Sequence, residues 1–132
     1  MRADFFDTNI VLYLLDDSPK ADMAAGLLAN GGVISVQVLN EALVNCIRKA
    51  RMSWQEAGDF LAGVRELCEV VDLSARMHDV GLAVGERYGF SVYDAMIVSA
   101  ALTSDCERLY TEDLQHDQLI EGRLRVVNPF RQ

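Results

Sequence analysis

The stretch FFDTNIVLYLLDD, residues 5–17, joins a short apolar run to an acid and then to apolar residues at helical spacing. Asp7 stands directly behind two phenylalanines, and Ile10 and Leu14 recur four positions apart, as on one helix face. We therefore expect a first strand over 3–7 and a short helix behind it. A buried carboxylate is costly unless its charge is compensated, so the rest of the sequence has to show what compensates Asp7.

Outward from this stretch, strand-like and helix-like segments alternate along the chain. Helices are predicted at 18–30, 36–50, 53–67, 74–88 and 91–102, and strands at 33–35, 68–73, 108–113 and 124–127. This alternation predicts parallel strands with crossover helices on both faces, which is a three-layer α/β/α sandwich. In such folds ligands bind outside the carboxyl ends of the strands.

The composition predicts one domain over residues 1–132. Hydrophobic residues make up 51% of the 132 residues, only two residues are proline, and no repetitive stretch occurs. The formal net charge of −8 contrasts with the basic surface that nucleic-acid binders usually carry. It leaves three interpretations: a solvated acidic surface, a basic partner, or acids gathered around metal ions.

The cysteines and the N-terminal stretch indicate a soluble cytoplasmic protein. The chain has three cysteines and no C-x-x-C pair, which is typical of inert thiols in a reducing compartment rather than of disulfides or a zinc ribbon. Asp4 precedes the apolar stretch at 5–15 and Asp7 interrupts it, so a signal peptide is not expected. No apolar run approaches the length of a membrane-spanning helix.

Four acids occupy positions that an α/β sandwich would bring to one edge of the sheet. Asp7 and Asp113 end predicted strands, Glu41 lies early in a helix, and Asp94 lies at the start of another. Each also has a local alternative. Asp7 and Asp94 could cap helices, Glu41 could be a solvated helix residue, and Asp113 could stabilise a turn. The joint pattern, rather than any single acid, indicates a site.

Carboxylates gathered in this way need a cation. Two unit charges about 4 Å apart repel by roughly 4 kcal/mol at an effective dielectric constant near 20, and a divalent ion removes that repulsion. The two histidines, His78 and His116, pair with no Cys or Asp at ligand spacing. A ligand set made only of oxygen suits a hard ion, Mg²⁺ or Mn²⁺.

Four motifs in order carry a resemblance to a known family. They are FDTNIVLYLLD, ISVQVLNE, YDAMIVSAAL and LYTEDLQHDQ, the last followed by VVNPF, and together they run from near residue 4 to Phe130. The sequence resembles the PIN-domain nucleases, specifically the VapC-type toxins of bacterial toxin–antitoxin pairs. The resemblance implies a Rossmann-like α/β/α fold, an endoribonuclease dependent on Mg²⁺ or Mn²⁺, dimerisation and inhibition by a cognate antitoxin.

The resemblance also assigns roles residue by residue. The acids that it marks as catalytic and metal-binding are Asp7, Glu41, Asp94 and Asp113. Asp117 falls where relatives often carry glycine, so it is either a further metal ligand or a surface acid. Thr8, Asn9 and Thr111 match polar positions of the motifs and are expected to support the site.

Partners follow from charge and from the resemblance. Arg48, Lys49 and Arg51 either contact RNA phosphates or complement the dipole of the helix that carries Glu41. In relatives, an antitoxin arginine reaches the carboxylates and displaces the metal, as a charge-assisted bidentate pair. Helices between residues 53 and 88 are candidates for the dimer interface, and no membrane partner is expected.

The function favoured by these features is a metal-dependent endoribonuclease toxin. It would hydrolyse RNA phosphodiester bonds at a carboxylate-bound ion and leave a 5′-phosphate and a 3′-hydroxyl, as the resemblance implies. The alternative is a non-catalytic module that holds a metal or a basic peptide at the same acidic rim. Phosphate transfer through an aspartyl nucleophile is disfavoured, because the sequence DTN lacks a second acid two residues after Asp7.

Overall fold

The computed structural model describes residues 3–131 and shows a six-stranded sheet with six helices. The strands are β1 (Asp4–Phe6), β2 (Gly32–Ser35), β3 (Cys68–Val71), β4 (Arg108–Tyr110), β5 (Leu119–Ile120) and β6 (Leu124–Val127). The helices are α1 (Thr8–Leu12), α2 (Pro19–Ala29), α3 (Val36–Arg48), α4 (Trp54–Leu67), α5 (Ala75–Tyr88) and α6 (Val92–Thr103). A 3₁₀ turn, Tyr13–Leu15, extends α1.

The order of the strands places β1 at the switch point of the sheet. Across the sheet the order is β3-β2-β1-β4-β6-β5, and every pair is parallel except β5 with β6. The chain moves outward from β1 to β3 and then returns past β1 to β4. Right-handed crossovers put the helices of these two halves on opposite faces of the sheet. The predicted three-layer α/β/α sandwich is confirmed. In folds of this kind ligands bind at the switch point, which here lies at the carboxyl ends of β1 and β4.

Serine side chains mark the starts of the longer helices. In each case the serine Oγ accepts a backbone N–H of the first turn, and the serines are Ser18, Ser35, Ser53, Ser74 and Ser91. Ser53 and Glu56 form the predicted capping box, with hydrogen bonds of 3.0 and 2.9 Å. Gly89 ends α5 in the left-handed conformation, with φ of 75°.

The core lies between the sheet and the helices that cover it. Phe5, Phe6, Ile34 and Leu109 from the central strands are fully buried or nearly so. Helix α6 is apolar around its whole circumference and is buried from Ala95 to Leu102 except at Met96, which is half-buried.

One close approach in the core requires glycine. A Cβ atom on Gly32 would lie 2.4 Å from the ring of Phe6 and 2.8 Å from the carbonyl oxygen of Asp4. The absence of a side chain at the start of β2 therefore lets the Phe6 ring pack against the neighbouring strand.

Several boundaries differ from the sequence-based expectation. The strand predicted at 108–113 ends at Tyr110, and the strand predicted at 68–73 ends at Val71. Strand β5 was not expected, and it pairs with β6 through a turn in which Glu121 and Gly122 have positive φ. Among residues 3–131, no helix is long and apolar enough to cross a bilayer. Residues 1, 2 and 132 of the predicted domain lie outside the described range.

Candidate metal centre

Asp7 is a buried acid at the carboxyl end of β1. It caps α1, where its Oδ1 accepts the backbone N–H of Thr8 at 2.6 Å. Its Oδ2 accepts the hydroxyl of Thr111 at 2.7 Å, and only 4% of Asp7 is exposed. Burial raises the pKa of Asp7 to about 6, although the hydrogen bonds from Thr111 and Thr8 oppose this rise. Capping and membership of an acidic site therefore coexist in this residue.

Asp94 approaches from the opposite layer, in the first turn of α6. Its backbone N–H donates to Ser91 Oγ at 3.3 Å, so the predicted S-x-x-D start of this helix is present. The side chain is half-buried. Partial burial raises the pKa of Asp94, and the negative charges of Asp113 and Glu41 raise it further.

Asp113 completes a group of three acids. It follows β4, is exposed, and accepts a hydrogen bond from Asn9 Nδ2 at 2.8 Å. One carboxylate oxygen from each of Asp7, Asp94 and Asp113 lies within 4.8 Å of the others. The four ion pairs found among residues 3–131 involve other acids, so no Lys or Arg there neutralises these three carboxylates.

Glu41 borders this group through hydrogen bonds to its neighbours. It lies on α3, where its Oε1 accepts the Thr8 hydroxyl at 2.6 Å and its Oε2 accepts Gln37 Nε2 at 3.0 Å. Thr8 thus connects two acids, because its backbone N–H binds Asp7 and its hydroxyl binds Glu41. Glu41 stands beside the three-oxygen group rather than within it.

Asp117 is not among the acids that converge. It is exposed, and its backbone has φ of 71° in the turn before β5. Its N–H donates to the carbonyl of Val126 at 2.8 Å, and its carbonyl accepts Arg125 Nη1 at 2.7 Å. Glycine adopts this left-handed conformation freely, whereas other residues adopt it rarely.

Asn9 and Thr111 hold the acids in place. Thr111 is fully buried, donates to Asp7, and accepts the backbone N–H of Asp113 at 3.1 Å. Asn9 Oδ1 is the only buried side-chain N or O atom within residues 3–131 that lacks a hydrogen-bond partner. A donor such as a water molecule of a bound ion would satisfy this oxygen.

The chemistry of the site fits a hard divalent cation. The group offers oxygen ligands only, from three carboxylates that no Lys or Arg within residues 3–131 neutralises, and burial partly desolvates two of them, Asp7 and Asp94. Such a set suits Mg²⁺ or Mn²⁺ better than a softer ion. A metal would also remove the mutual repulsion that contributes to the raised pKa values of Asp7 and Asp94.

A groove of about 750 Å³ runs beside the acids. Its walls include Glu41 and Asp113 together with Gln37, Lys49 and Tyr93. Of the three basic residues considered for phosphate contact, Lys49 lines the groove, whereas Arg48 and Arg51 are exposed and are not among its lining residues.

Sequence reasoning did not single out Gln37 or Tyr93. The four-residue spacing of Gln37 and Glu41 on one helix could have indicated their hydrogen bond. No periodic pattern marks an exposed tyrosine beside a site.

Comparisons with known proteins agree on the fold. The family model of the PIN domain matches residues 5–121. No curated protein matches the chain.

Solved structures similar to this one include several from toxin–antitoxin systems. A chain of the toxin–antitoxin complex from Klebsiella pneumoniae is 20% identical, with a TM-score of 0.76, over 98% of this chain and 100% of that one. The VapC20 toxin of Mycobacterium tuberculosis, which cleaves the sarcin–ricin loop, is 18% identical, with a TM-score of 0.68, over 84% of this chain and 90% of that one. A chain of DNA-bound VapBC from Salmonella typhimurium is 20% identical, with a TM-score of 0.69, over 96% of this chain and 98% of that one. Likenesses at these identities show a shared fold.

Proposed function

This chain belongs to the PIN domain family, and on that premise we propose that it is a metal-dependent endoribonuclease that acts as a toxin of the VapC type. One observation carries the proposal. Three carboxylate oxygens, contributed by the end of β1, the start of α6 and the segment after β4, lie within 4.8 Å of one another at the switch point of the sheet. Three separate elements converge there, which capping or turn formation alone does not require.

The ion would be held by Asp7, Asp94 and Asp113, with Glu41 beside them, and Mg²⁺ or Mn²⁺ is the ion expected. When bound, such an ion supplies Lewis acidity and neutralises charge on a phosphate. The protein contributes preorganisation. Thr111 and Thr8 keep Asp7 oriented, Asn9 fixes Asp113, and Thr8 and Gln37 fix Glu41. Carboxylates held in this way need little rearrangement when substrate arrives.

RNA hydrolysis adds water across one phosphodiester bond. The expected products carry a 5′-phosphate and a 3′-hydroxyl, so the bond that breaks joins phosphorus to the 3′ oxygen. Lys49 in the groove is available for a phosphate, since it forms no ion pair with another residue between 3 and 131. The net charge of −8 makes non-specific binding along RNA weak and leaves recognition to this groove.

An antitoxin and a second copy of the chain are the proposed protein partners. Similar solved structures are described as a toxin–antitoxin complex and as DNA-bound VapBC. An uncompensated acidic site suits a basic antitoxin segment, because an arginine would form charge-assisted hydrogen bonds to these carboxylates. Homodimerisation is proposed through helices between residues 53 and 88, where the apolar side chains Leu67 and Leu82 are 46% and 58% exposed.

The test is cleavage of RNA by purified protein with and without metal. Mg²⁺ or Mn²⁺ should support cleavage, and a chelator should abolish it. Asp94→Asn should abolish cleavage without changing the circular dichroism spectrum. Asp79→Asn, the same change at an exposed position on α5, should retain activity.

Two results would contradict the proposal in different ways. Cleavage that persists both with the chelator and in Asp94→Asn would show that neither the metal nor the acidic site is needed for the reaction. Metal that raises the melting temperature while no RNA is cut would favour the alternative, a non-catalytic binding module.

A further inference from the structure

Tyr93 is the one aromatic side chain that the described residues contribute to the lining of the groove. It lies in the first turn of α6, directly before Asp94, and 70% of the residue is exposed. Large aromatic side chains usually bury most of their surface. Exposure alone does not indicate a ligand, since Trp54 is also exposed, but the position of Tyr93 in the groove beside the acids makes its ring accessible to one.

The backbone that carries this ring is tied to the acidic site. Gln37 Nε2 donates to the carbonyl of Tyr93 at 3.2 Å and to Glu41 Oε2 at 3.0 Å. The Cα atom of Tyr93 is about 3.8 Å from that of Asp94, as for any consecutive residues. The ring thus extends from a fixed point of the rim, at a constant offset from the carboxylates.

The groove combines the three kinds of contact that a single-stranded nucleic acid uses. Lys49 offers a cation for a phosphate, Asn40 and Asn45 offer amides for ribose or base edges, and Tyr93 offers an aromatic face. Single-stranded RNA is commonly bound in this way, with unpaired bases stacked on aromatic side chains. An aliphatic peptide would use the apolar part of this wall and could bond the amides through its backbone, but it would bring neither an anion for Lys49 nor a planar ring to stack on Tyr93.

We propose that Tyr93 is a stacking platform for an unpaired nucleobase next to the bond that is cut. This inference rests on the proposed function, because it takes RNA as the substrate. It makes Tyr93 a residue that binds substrate and selects single-stranded over paired RNA, since a base inside a duplex cannot reach the ring.

The test measures binding separately from cleavage. The probe is a fluorescein-labelled RNA decamer of random sequence, titrated with protein in Ca²⁺ by fluorescence anisotropy, with a gel to show that the decamer stays intact. Tyr93→Leu removes the aromatic face and keeps an apolar side chain, whereas Tyr93→Phe keeps the face. Trp54→Leu is the matched control, because Trp54 is 73% exposed and is not among the residues that line the groove.

Tyr93→Leu should weaken binding about 10-fold, which corresponds to about 1.4 kcal/mol. Tyr93→Phe and Trp54→Leu should stay within about 2-fold of the unchanged protein. A second probe, a decamer of ribose and phosphate without bases, should bind Tyr93→Leu and the unchanged protein equally, because it has nothing to stack.

Two outcomes would overturn the inference. One is equal binding of the random decamer by Tyr93→Leu and Tyr93→Phe. The other is a loss of the same size on the probe without bases. If Tyr93→Leu weakened only the complex with an antitoxin, the ring would belong to the protein partner instead. If binding depended on the bases but no metal-dependent cleavage occurred, the stacking role of Tyr93 would stand and the proposed nuclease activity would be refuted.

Discussion

The Thr111 hydroxyl donates to the Asp7 carboxylate at 2.7 Å, across the boundary between β4 and β1. The same hydroxyl oxygen accepts the backbone N–H of Asp113 at 3.1 Å. A single fully buried side chain therefore sets the relative positions of two acids that lie on neighbouring strand ends. A threonine in this position stabilises the charged form of Asp7, which burial would otherwise disfavour.

Thr111→Val should move the acidic limb of the pH–activity profile to higher pH. The hydroxyl lowers the pKa of Asp7, so its loss raises that pKa further above its ordinary value. At pH 7 we expect kcat/KM to fall about 10-fold, as for other groups that orient metal ligands, and to recover partly as the pH rises. Thr111→Ser keeps the hydroxyl and should keep the profile. An unshifted profile in Thr111→Val would contradict this role.

The metal-free protein should become more stable as the pH falls from 7 towards 5. The pKa of Asp7 rises from 3.8 to about 6 on folding, so between these values the folded state binds more protons than the unfolded state. The free energy of unfolding therefore decreases as the pH rises through this window. At pH 7 the contribution of Asp7 is about 3 kcal/mol less favourable than at a pH below 3.8. Thermal unfolding in the presence of a chelator measures the effect.

Asp7→Asn separates the contribution of Asp7 to the pH dependence of stability from the contributions of the other acids. The variant should unfold at a higher temperature than the unchanged protein at pH 7 and at nearly the same temperature at pH 4. It should also lose the stabilisation that Mg²⁺ gives to the unchanged protein, because a ligand of the ion has gone. An equal dependence of stability on pH in both proteins would show that Asp7 is not the group responsible.

Asn9→Ala should weaken metal binding without unfolding the protein. Asn9 Nδ2 is the donor that holds the exposed carboxylate of Asp113, at 2.8 Å. Without it the carboxylate is free to turn towards solvent, and we expect the affinity for Mn²⁺ to fall about 10-fold, as measured by isothermal titration calorimetry. Asn40→Ala removes an exposed amide from the same groove and should leave the affinity unchanged. Equal affinities in the two variants would exclude a positioning role for Asn9.

Gly32→Ala should destabilise the fold by about 1–3 kcal/mol, the usual range for overpacking. The new methyl group would lie 2.4 Å from the Phe6 ring and 2.8 Å from the Asp4 carbonyl oxygen, which is closer than van der Waals contact allows. Gly58→Ala is the matched control, because nothing lies within 4 Å of its Cβ position in the middle of α4. It should stabilise the protein by about 0.5–1 kcal/mol. Urea unfolding of the two variants compares them directly.

The sequence predicts the fold well because its local signals agree with one another. Five serines mark helix starts, Gly89 marks a helix end, and apolar runs mark the central strands. Strand β5 escaped prediction because two residues are too few to show a period. The strand expected through 113 ends at Tyr110 because the chain turns there to place Thr111 and Asp113 at the site.

The site is predictable only in outline. Strand ends and a helix start explain why Asp7, Asp94 and Asp113 approach one another. Whether Glu41 joins them depends on the rotamer that Thr8 and Gln37 select, which no spacing reveals. The assignment of Asp7, Asp94 and Asp113 as metal ligands stays a prediction, as does that of Glu41 and Asp117.

Helix α6 connects the rim of the site to the interior of the molecule. Its first turn carries Tyr93 and Asp94, and the residues from Ala95 to Leu102 are buried apart from the half-buried Met96. Any tilt of this helix would disturb the apolar centre, so we expect the rim to present the same shape to each ligand. An inhibitor evolved against this surface is therefore selected for fit to a fixed template, and its residence time will depend on how well it was shaped beforehand.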